Sequence, residues 1–140
     1  MIRVATEEDI AWAASKIGIA RFRPDAKGIA SERDGVLTAV VVFDTFSECD
    51  CNMHIASDGA RRWLTRPLMK EAFHYPFNTL GLRRVTGLVP RKNKDALLFD
   101  QRLGFEVEGI CREAMPGDDV VILGLLRRNC RMIPQERRLQ

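Results

Sequence analysis

Little in this chain announces a function by abundance. Its 140 residues hold four cysteines, Cys49, Cys51, Cys111 and Cys130, with no Cys-x-x-Cys pair. Zinc-ribbon and thioredoxin-like chemistry are therefore poor readings; His54 could join Cys49 and Cys51, but no fourth ligand suggests itself and no metal is expected. Small apolar cysteines in the core of a cytoplasmic protein are the simpler expectation. No apolar run approaches the roughly 18–20 residues of a membrane span, and residues 1–9 lack the apolar stretch of a signal peptide. Charge of one sign is scarce as well: 22 basic residues face 19 acidic ones, for a net charge of +3. That balance makes a polybasic nucleic-acid arm or an acidic disordered tail unlike this chain. Tyr75 is the one tyrosine, and His54 and His74 are the two histidines.

What the chain does have is the make-up of one globular domain spanning residues 1–140. Apolar residues make up 46% and charged residues 29%, and a chain of this length can hide roughly two-thirds of its unfolded surface without disulfides. Punctuation residues divide it into elements. Residues 2–5 read as a short strand. Thr6 and the acids Glu7, Glu8 and Asp9 then form a helix start, because a hydroxyl cap and negative charge suit the positive end of the helix dipole. Ile10, Ala13, Ala14 and Ile17 recur at helical spacing up to Gly18. Residues 27–33 and 36–43 read as a hairpin around Asp34-Gly35, and the near-continuous VLTAVVVF predicts a central strand covered on both faces. A further strand covers 51–56.

The second half alternates. Residues 67–80 carry a helical apolar stripe that Pro67 starts and Pro76 kinks or ends early. A buried strand follows at 83–89, a helix at 93–103 ending at Gly104, and two last strands at 105–112 and 120–126 around Pro116-Gly117-Asp118. Strand-helix-strand units behind an antiparallel front predict an α/β (α+β) domain with a mixed sheet.

Within residues 89–105, Asn93-Lys94-Asp95-Ala96 opens a helix that closes on Leu103-Gly104-Phe105. This N-x-x-A…L-G-F pattern, with eleven positions from Asn93 to Gly104, resembles the GNAT superfamily, the Gcn5-related N-acetyltransferases. The resemblance covers residues 55–128. Leu80-Gly81-Leu82-Arg83-Arg84-Val85, Glu108-Gly109-Ile110-Cys111-Arg112 and Leu123-Gly124-Leu125-Leu126-Arg127 are similar to the branch that includes the ribosomal-protein N-terminal acetyltransferases. The first 50 residues match only in element order.

The resemblance implies a GNAT fold: a mostly antiparallel twisted sheet, flanked by helices, in which a central parallel strand pair splays apart. It implies acetyl-CoA as co-substrate and an amine-bearing acceptor, small molecule or protein, with no metal, membrane or nucleic-acid partner and with self-association left open. Acetyl-CoA would lie between the strand ending at Ile55-Ala56 and the strand at 85–89, where the amide of Ile55 or Ala56 could polarise the thioester carbonyl. Asn93, opening the helix, is a further expected contact.

The chain departs from the family at the pyrophosphate loop. The usual Q/R-x-x-G-x-G/A places glycines at a helix N-terminus so that backbone amides can close around phosphate. Its three slots here hold Ala60, Trp63 and Thr65. Arg61 and Arg62 could compensate by charge and Thr65 by its hydroxyl, with Trp63 and Leu64 completing the cofactor loop; Trp63 fits packing as well as a lid. The tyrosine that many relatives carry four residues before the Gly of L-G-F is Asp100, which would serve as an acid only if burial raised its pKa. Otherwise the amine or a water returns the proton directly.

For the base, alternation places Asp50, Asn52 and His54 on one strand face. His54, with a near-neutral reference pKa, is the candidate base one residue before the expected thioester contact, and Asp50 or Glu48 are the alternatives. His74 reads as a surface or packing residue. The Arg-rich end after Arg127 reads as a solvated or self-associating tail ahead of a nucleic-acid contact. The expected function is acetyl transfer from acetyl-CoA to a primary amine by direct attack. The alternative is a GNAT-shaped binding or regulatory module with weak or no turnover.

Overall fold

Thr6 starts the first helix as its sequence context demands. In the computed structural model, which describes residues 1–60 and 63–135, α1 (Glu7–Ile17) opens on a reciprocal cap. The Asp9 amide donates to Thr6 Oγ1 at 3.2 Å, and the Thr6 amide donates to the Asp9 carboxylate at 2.8 Å. Gly18 closes the helix with φ +90°, a conformation that costs glycine nothing. Arg3, on the edge strand β1 (Ile2–Val4), pairs with both Asp9 and Glu32 and so ties helix to sheet.

β2 (Lys27–Arg33) and β3 (Val36–Asp44) form the expected hairpin, with φ +54° at Asp34 and +76° at Gly35. Strand β3 is the covered centre: Val41 and Phe43 face one apolar cluster, Val40 and Val42 the other. β4 (Asn52–Ser57) runs antiparallel beside it, beginning one residue later than its apolar pattern suggests.

α2 (Arg66–His74) is capped by Thr65, whose hydroxyl accepts the Leu68 amide. The helix expected over 67–80 is two pieces. Pro76 has no N–H to give an α-helical ladder, and the chain widens into a π-helical turn (Tyr75–Thr79) closed by the Leu80 amide on the Tyr75 carbonyl at 3.0 Å. Then come β5 (Arg84–Pro90), α3 (Lys94–Leu103), β6 (Glu106–Met115) and β7 (Asp118–Leu126).

Among the described residues seven strands form one sheet in the order β1-β2-β3-β4-β5-β7-β6, antiparallel throughout except for the parallel pair β4–β5. α1 covers one face with Ala13 and Ala14 on Ala30, Val40, Val42 and Ala56. α2 and α3 cover the other: Leu68, Met69, Ala72 and Phe73 are buried, and Ala96, Leu97, Phe99 and Leu103 pack against the same cluster.

Two expectations change. Only Cys51 and Cys130 are buried, while Cys49 and Cys111 are exposed, and Cys49 and Cys51 both precede β4. The Arg-rich end is not a solvated tail up to residue 135. Cys130 and Ile133 are buried, the Arg127 guanidinium donates to the Phe77 carbonyl at 2.7 Å, and the Gln135 amide donates to the Arg127 and Cys130 carbonyls. Among the described residues, no helix is long and apolar enough to cross a membrane.

Candidate active site

The parallel pair β4–β5 is joined at one register, Asn52 opposite Thr86, where the Thr86 amide donates to the Cys51 carbonyl at 2.9 Å. Beyond it β4 runs on to Ser57 and β5 to Pro90 with no further pairing among the described residues. The strands splay, and backbone groups along the gap are left without the ladder partners that a sheet normally supplies.

Alternation decides which groups those are. The Asp58 amide donates across to Thr38 on the β3 side, whereas Cys51 faces β5. Even-numbered residues of β4 therefore turn their amides to β3 and odd-numbered ones to the gap. Of the two expected contacts, Ile55 presents its N–H to the gap. Ala56 does not: its amide belongs to the β3 ladder and its side chain is buried under α1.

On the α1 face, His54 Nε2 lies 2.9 Å from Asp44 Oδ1. A carboxylate can only accept, so Nε2 is the nitrogen that donates, and in the neutral ring Nδ1 is the one left with a lone pair. Phe22, from the connector between α1 and β2, packs on the imidazole with ring centroids 5.1 Å apart. His54 is thus held by a carboxylate on one side and an aromatic ring on the other, an arrangement that orients a base.

Asp50, the alternative base, has other commitments. It lies just before β4, and its carboxylate accepts from Thr86 Oγ1 at 2.8 and 3.0 Å, with Arg84 Nε at 3.5 Å. Arg84 in turn pairs with Glu108 on β6 at 2.7 Å. Gly124, between them on β7, is what makes room: a Cβ there would fall on both the Arg84 guanidinium and the Glu108 carboxylate. The two candidate bases sit in separate hydrogen-bonded groups.

On the α2–α3 face, Asp100 lies against Gly87, its Oδ2 being 3.3 Å from where a Gly87 Cβ would stand. Burial pushes its carboxyl up from 3.8 to about 6.

No protein-family profile and no curated protein sequence matches this chain. Its similarity is to solved structures. An F149A mutant of the spermidine N-acetyltransferase SpeG from Vibrio cholerae superposes with a TM-score of 0.75 at 16% identity, covering 91% of this chain and 95% of that one. SpeG in complex with manganese ions gives 0.74 at 16%, over 91% and 92% of the two chains. A protein assigned as a phosphinothricin N-acetyltransferase gives 0.70 at 22%, over 90% and 97%. This is the GNAT fold.

The other residues expected at the cofactor lie around the N-termini of α2 and α3. Thr65 spends its oxygen on the α2 cap, and Asn93 Oδ1 likewise caps α3 by accepting the Ala96 amide at 3.2 Å. Trp63 packs on Phe99 of α3 with centroids 5.7 Å apart, and Leu64 next to it in the chain is half-exposed. Arg61 and Arg62 lie outside the described residues. Gly59, with φ +88°, is the glycine remaining near the loop. His74 is exposed, in keeping with a surface residue.

Asp44, Phe22 and Gly124 were not anticipated as site residues. Asp44 ends an apolar run, the kind of position where a buried acid signals a specific partner, but its partner is chosen by strand register and not by any spacing along the chain.

Proposed function

We propose that this protein is an acetyl-CoA-dependent N-acetyltransferase that moves the acetyl group onto a primary amine by direct attack. The observation that carries the reading is the splayed β4–β5 gap with the Ile55 amide turned into it and the Asp44–His54 pair beside it. When bound, acetyl-CoA supplies an activated acetyl thioester. The chain's own residues supply the rest. The Ile55 N–H, fixed in the sheet, is the donor for the charge that builds on a carbonyl oxygen during acyl transfer, and it needs no reorganisation to serve. His54 Nδ1 takes the proton that the amine must lose, and Asp44 holds the ring and stabilises the cation formed. Phe22 walls the amine side and limits water there.

The fit to the co-substrate is good at the gap and depends at the phosphate end on a loop without its glycines. Arg61 and Arg62 are assigned the pyrophosphate on sequence grounds, together with the α2 N-terminus. The acceptor is a primary amine. A polyamine, as for SpeG, and a protein N-terminus, as in the ribosomal-protein acetyltransferase branch that the sequence resembles, are the two acceptors to assay first. A cytoplasmic location suits either.

Two measurements test the reading. Acetyl-CoA at 100 times its Kd should stabilise the fold by about 2.7 kcal/mol, and thiol release should depend on the presence of an amine. Stabilisation without thiol release over spermidine, peptide N-termini and small amines would establish a binding module instead. No stabilisation at millimolar acetyl-CoA would remove the cofactor assignment altogether.

A further inference from the structure

We propose that the acceptor is a primary amine carried on an uncharged apolar body, an alkyl- or aralkylamine, and that Leu88 and Ile122 form its seat. The inference rests on the acetyl-transfer reading above and names the substrate class for that site.

An amine that gives its proton to His54 must approach from the face of the sheet that carries His54. On that face α1 covers only part of the sheet. Its cluster draws Ala30, Val40, Val42 and Ala56 from β2, β3 and β4 and, among the described residues, nothing from β5, β6 or β7. Val85, Val89, Val121, Leu123 and Leu125 belong to the opposite cluster, beneath α2 and α3. Alternation therefore turns Leu88, Val120 and Ile122 to the His54 side, and among the described residues they belong to neither cluster. Leu88 is 41% exposed, and Val120 and Ile122 are half-buried.

Register brings this bare strip to the base. Asn52 and Thr86 are the paired position of β4 and β5. His54 and Leu88 each lie two residues further along these parallel strands, so they stand level across the gap with their side chains on one face. Leu88 is paired with Ile122, and Ile122 with Gly109, in one row across β5, β7 and β6. A Cβ at Gly109 would meet nothing within 4 Å, so the row stays open toward the sheet edge. Phe22, packed on the imidazole, adds an aromatic surface beside the same base.

Charge decides between acceptors. The Asp44 carboxylate is held by His54. Asp50, Arg84 and Glu108 lie around Thr86 and Gly124, back along the strands from Leu88, and are bonded to one another and to Thr86. A polyamine laid from His54 along the Leu88–Ile122 row would set its second ammonium on apolar side chains, losing hydration without gaining a carboxylate. A hydrocarbon chain on the same path removes its own surface and that of Leu88 from water, which is favourable.

Thiol release from acetyl-CoA is measured with propylamine, butylamine and hexylamine, which share one basicity, and with spermidine and a peptide beginning in serine. In the wild-type protein kcat/KM should rise about two- to fourfold for each added methylene, the worth of its partial to full burial, and hexylamine should exceed both spermidine and the peptide. Leu88→Ala, which leaves both buried clusters intact, should lower kcat/KM for hexylamine about tenfold, mainly through KM, and flatten the chain-length series. Leu88→Glu should reverse the order in favour of spermidine. A flat series in the wild type, a preference there for spermidine or the peptide, or an unchanged series in Leu88→Ala overturns the seat while leaving acetyl transfer standing. Thiol release with none of these amines overturns the transfer reading and the seat with it.

Discussion

His54 and Asp44 meet across two neighbouring antiparallel strands, Nε2 to Oδ1 at 2.9 Å, although His54 is paired in register with Val42 and Asp44 with Asn52. The contact is diagonal, and it uses the one polar side chain that β3 presents at its buried end. If the two side chains act as a unit, His54→Ala should lower kcat by about 100-fold or more, and Asp44→Asn should lower it in the same direction by less. The double variant should be no slower than His54→Ala, because removing the base removes what Asp44 orients. Steady-state kinetics at saturating acetyl-CoA measure this; multiplying losses would assign the two residues separate tasks.

Asp100 carries a stability signature with a definite sign. Its folded pKa of about 6 lies above its ordinary 3.8, so the folded state binds the proton more tightly than the unfolded state does. Below pH 4 the carboxyl is neutral in both states and costs nothing. As pH rises through 6 the folded state must hold a half-buried charge, at a cost on the order of 2–3 kcal/mol. Asp100→Asn should therefore gain stability over wild type in urea at pH 8, and that advantage should disappear at pH 4.

Gly124 should be among the least replaceable glycines in the sheet. An alanine there would drive a methyl group into the Arg84–Glu108 pair, while a Cβ at Gly109 on β6 meets nothing within 4 Å. Gly124→Ala is expected to cost about 1–3 kcal/mol through the broken ion pair and the groups it leaves behind, and Gly109→Ala within about 0.5 kcal/mol. Thermal unfolding of the two variants decides the matter; equal melting temperatures would show that the pair rearranges freely.

Thr6→Ala should destabilise the protein by about 1 kcal/mol, the usual worth of a helix cap. Hydrogen bonding to Arg3 holds the Asp9 carboxyl down at about 2. That contribution is present above the ordinary carboxylate range and is lost as pH falls through 2. Asp9→Asn should flatten the acid limb of the stability curve between pH 4 and 2, as read by circular dichroism.

Arg61→Ala together with Arg62→Ala should weaken acetyl-CoA binding about tenfold, the loss expected for charge-assisted contacts at a partly exposed phosphate site. Unchanged affinity would assign the pyrophosphate to the α2 N-terminus alone.

Much of the fold was legible because local chemistry punctuates it. Thr6 and Gly18 bound α1, Asp34-Gly35 turns the hairpin, Pro67 opens α2 and Pro76 ends it, and Asn93 and Gly104 bound α3; each acts through a backbone preference that needs no distant partner. The site was legible only in part. His54 and Ile55 stand out from their positions near the end of one strand, but choosing Ile55 over Ala56 required knowing which edge of β4 faces β3.

The sequence by itself determined the element order, the two-faced burial of β3 and the presence of a histidine where an acyl-transfer base would be useful, since these follow from periodicity and from residues with intrinsic conformational limits. Tertiary structure decided the rest. Only strand register brings Asp44 to His54, and only the path of the α1–β2 connector lays Phe22 over it. Only the crossing of β7 places Gly124 between Arg84 and Glu108. Only the packing of α3 on β5 puts Asp100 against Gly87 and shifts its protonation. Each is a long-range contact set by the burial of whole faces, and no spacing along the chain encodes it.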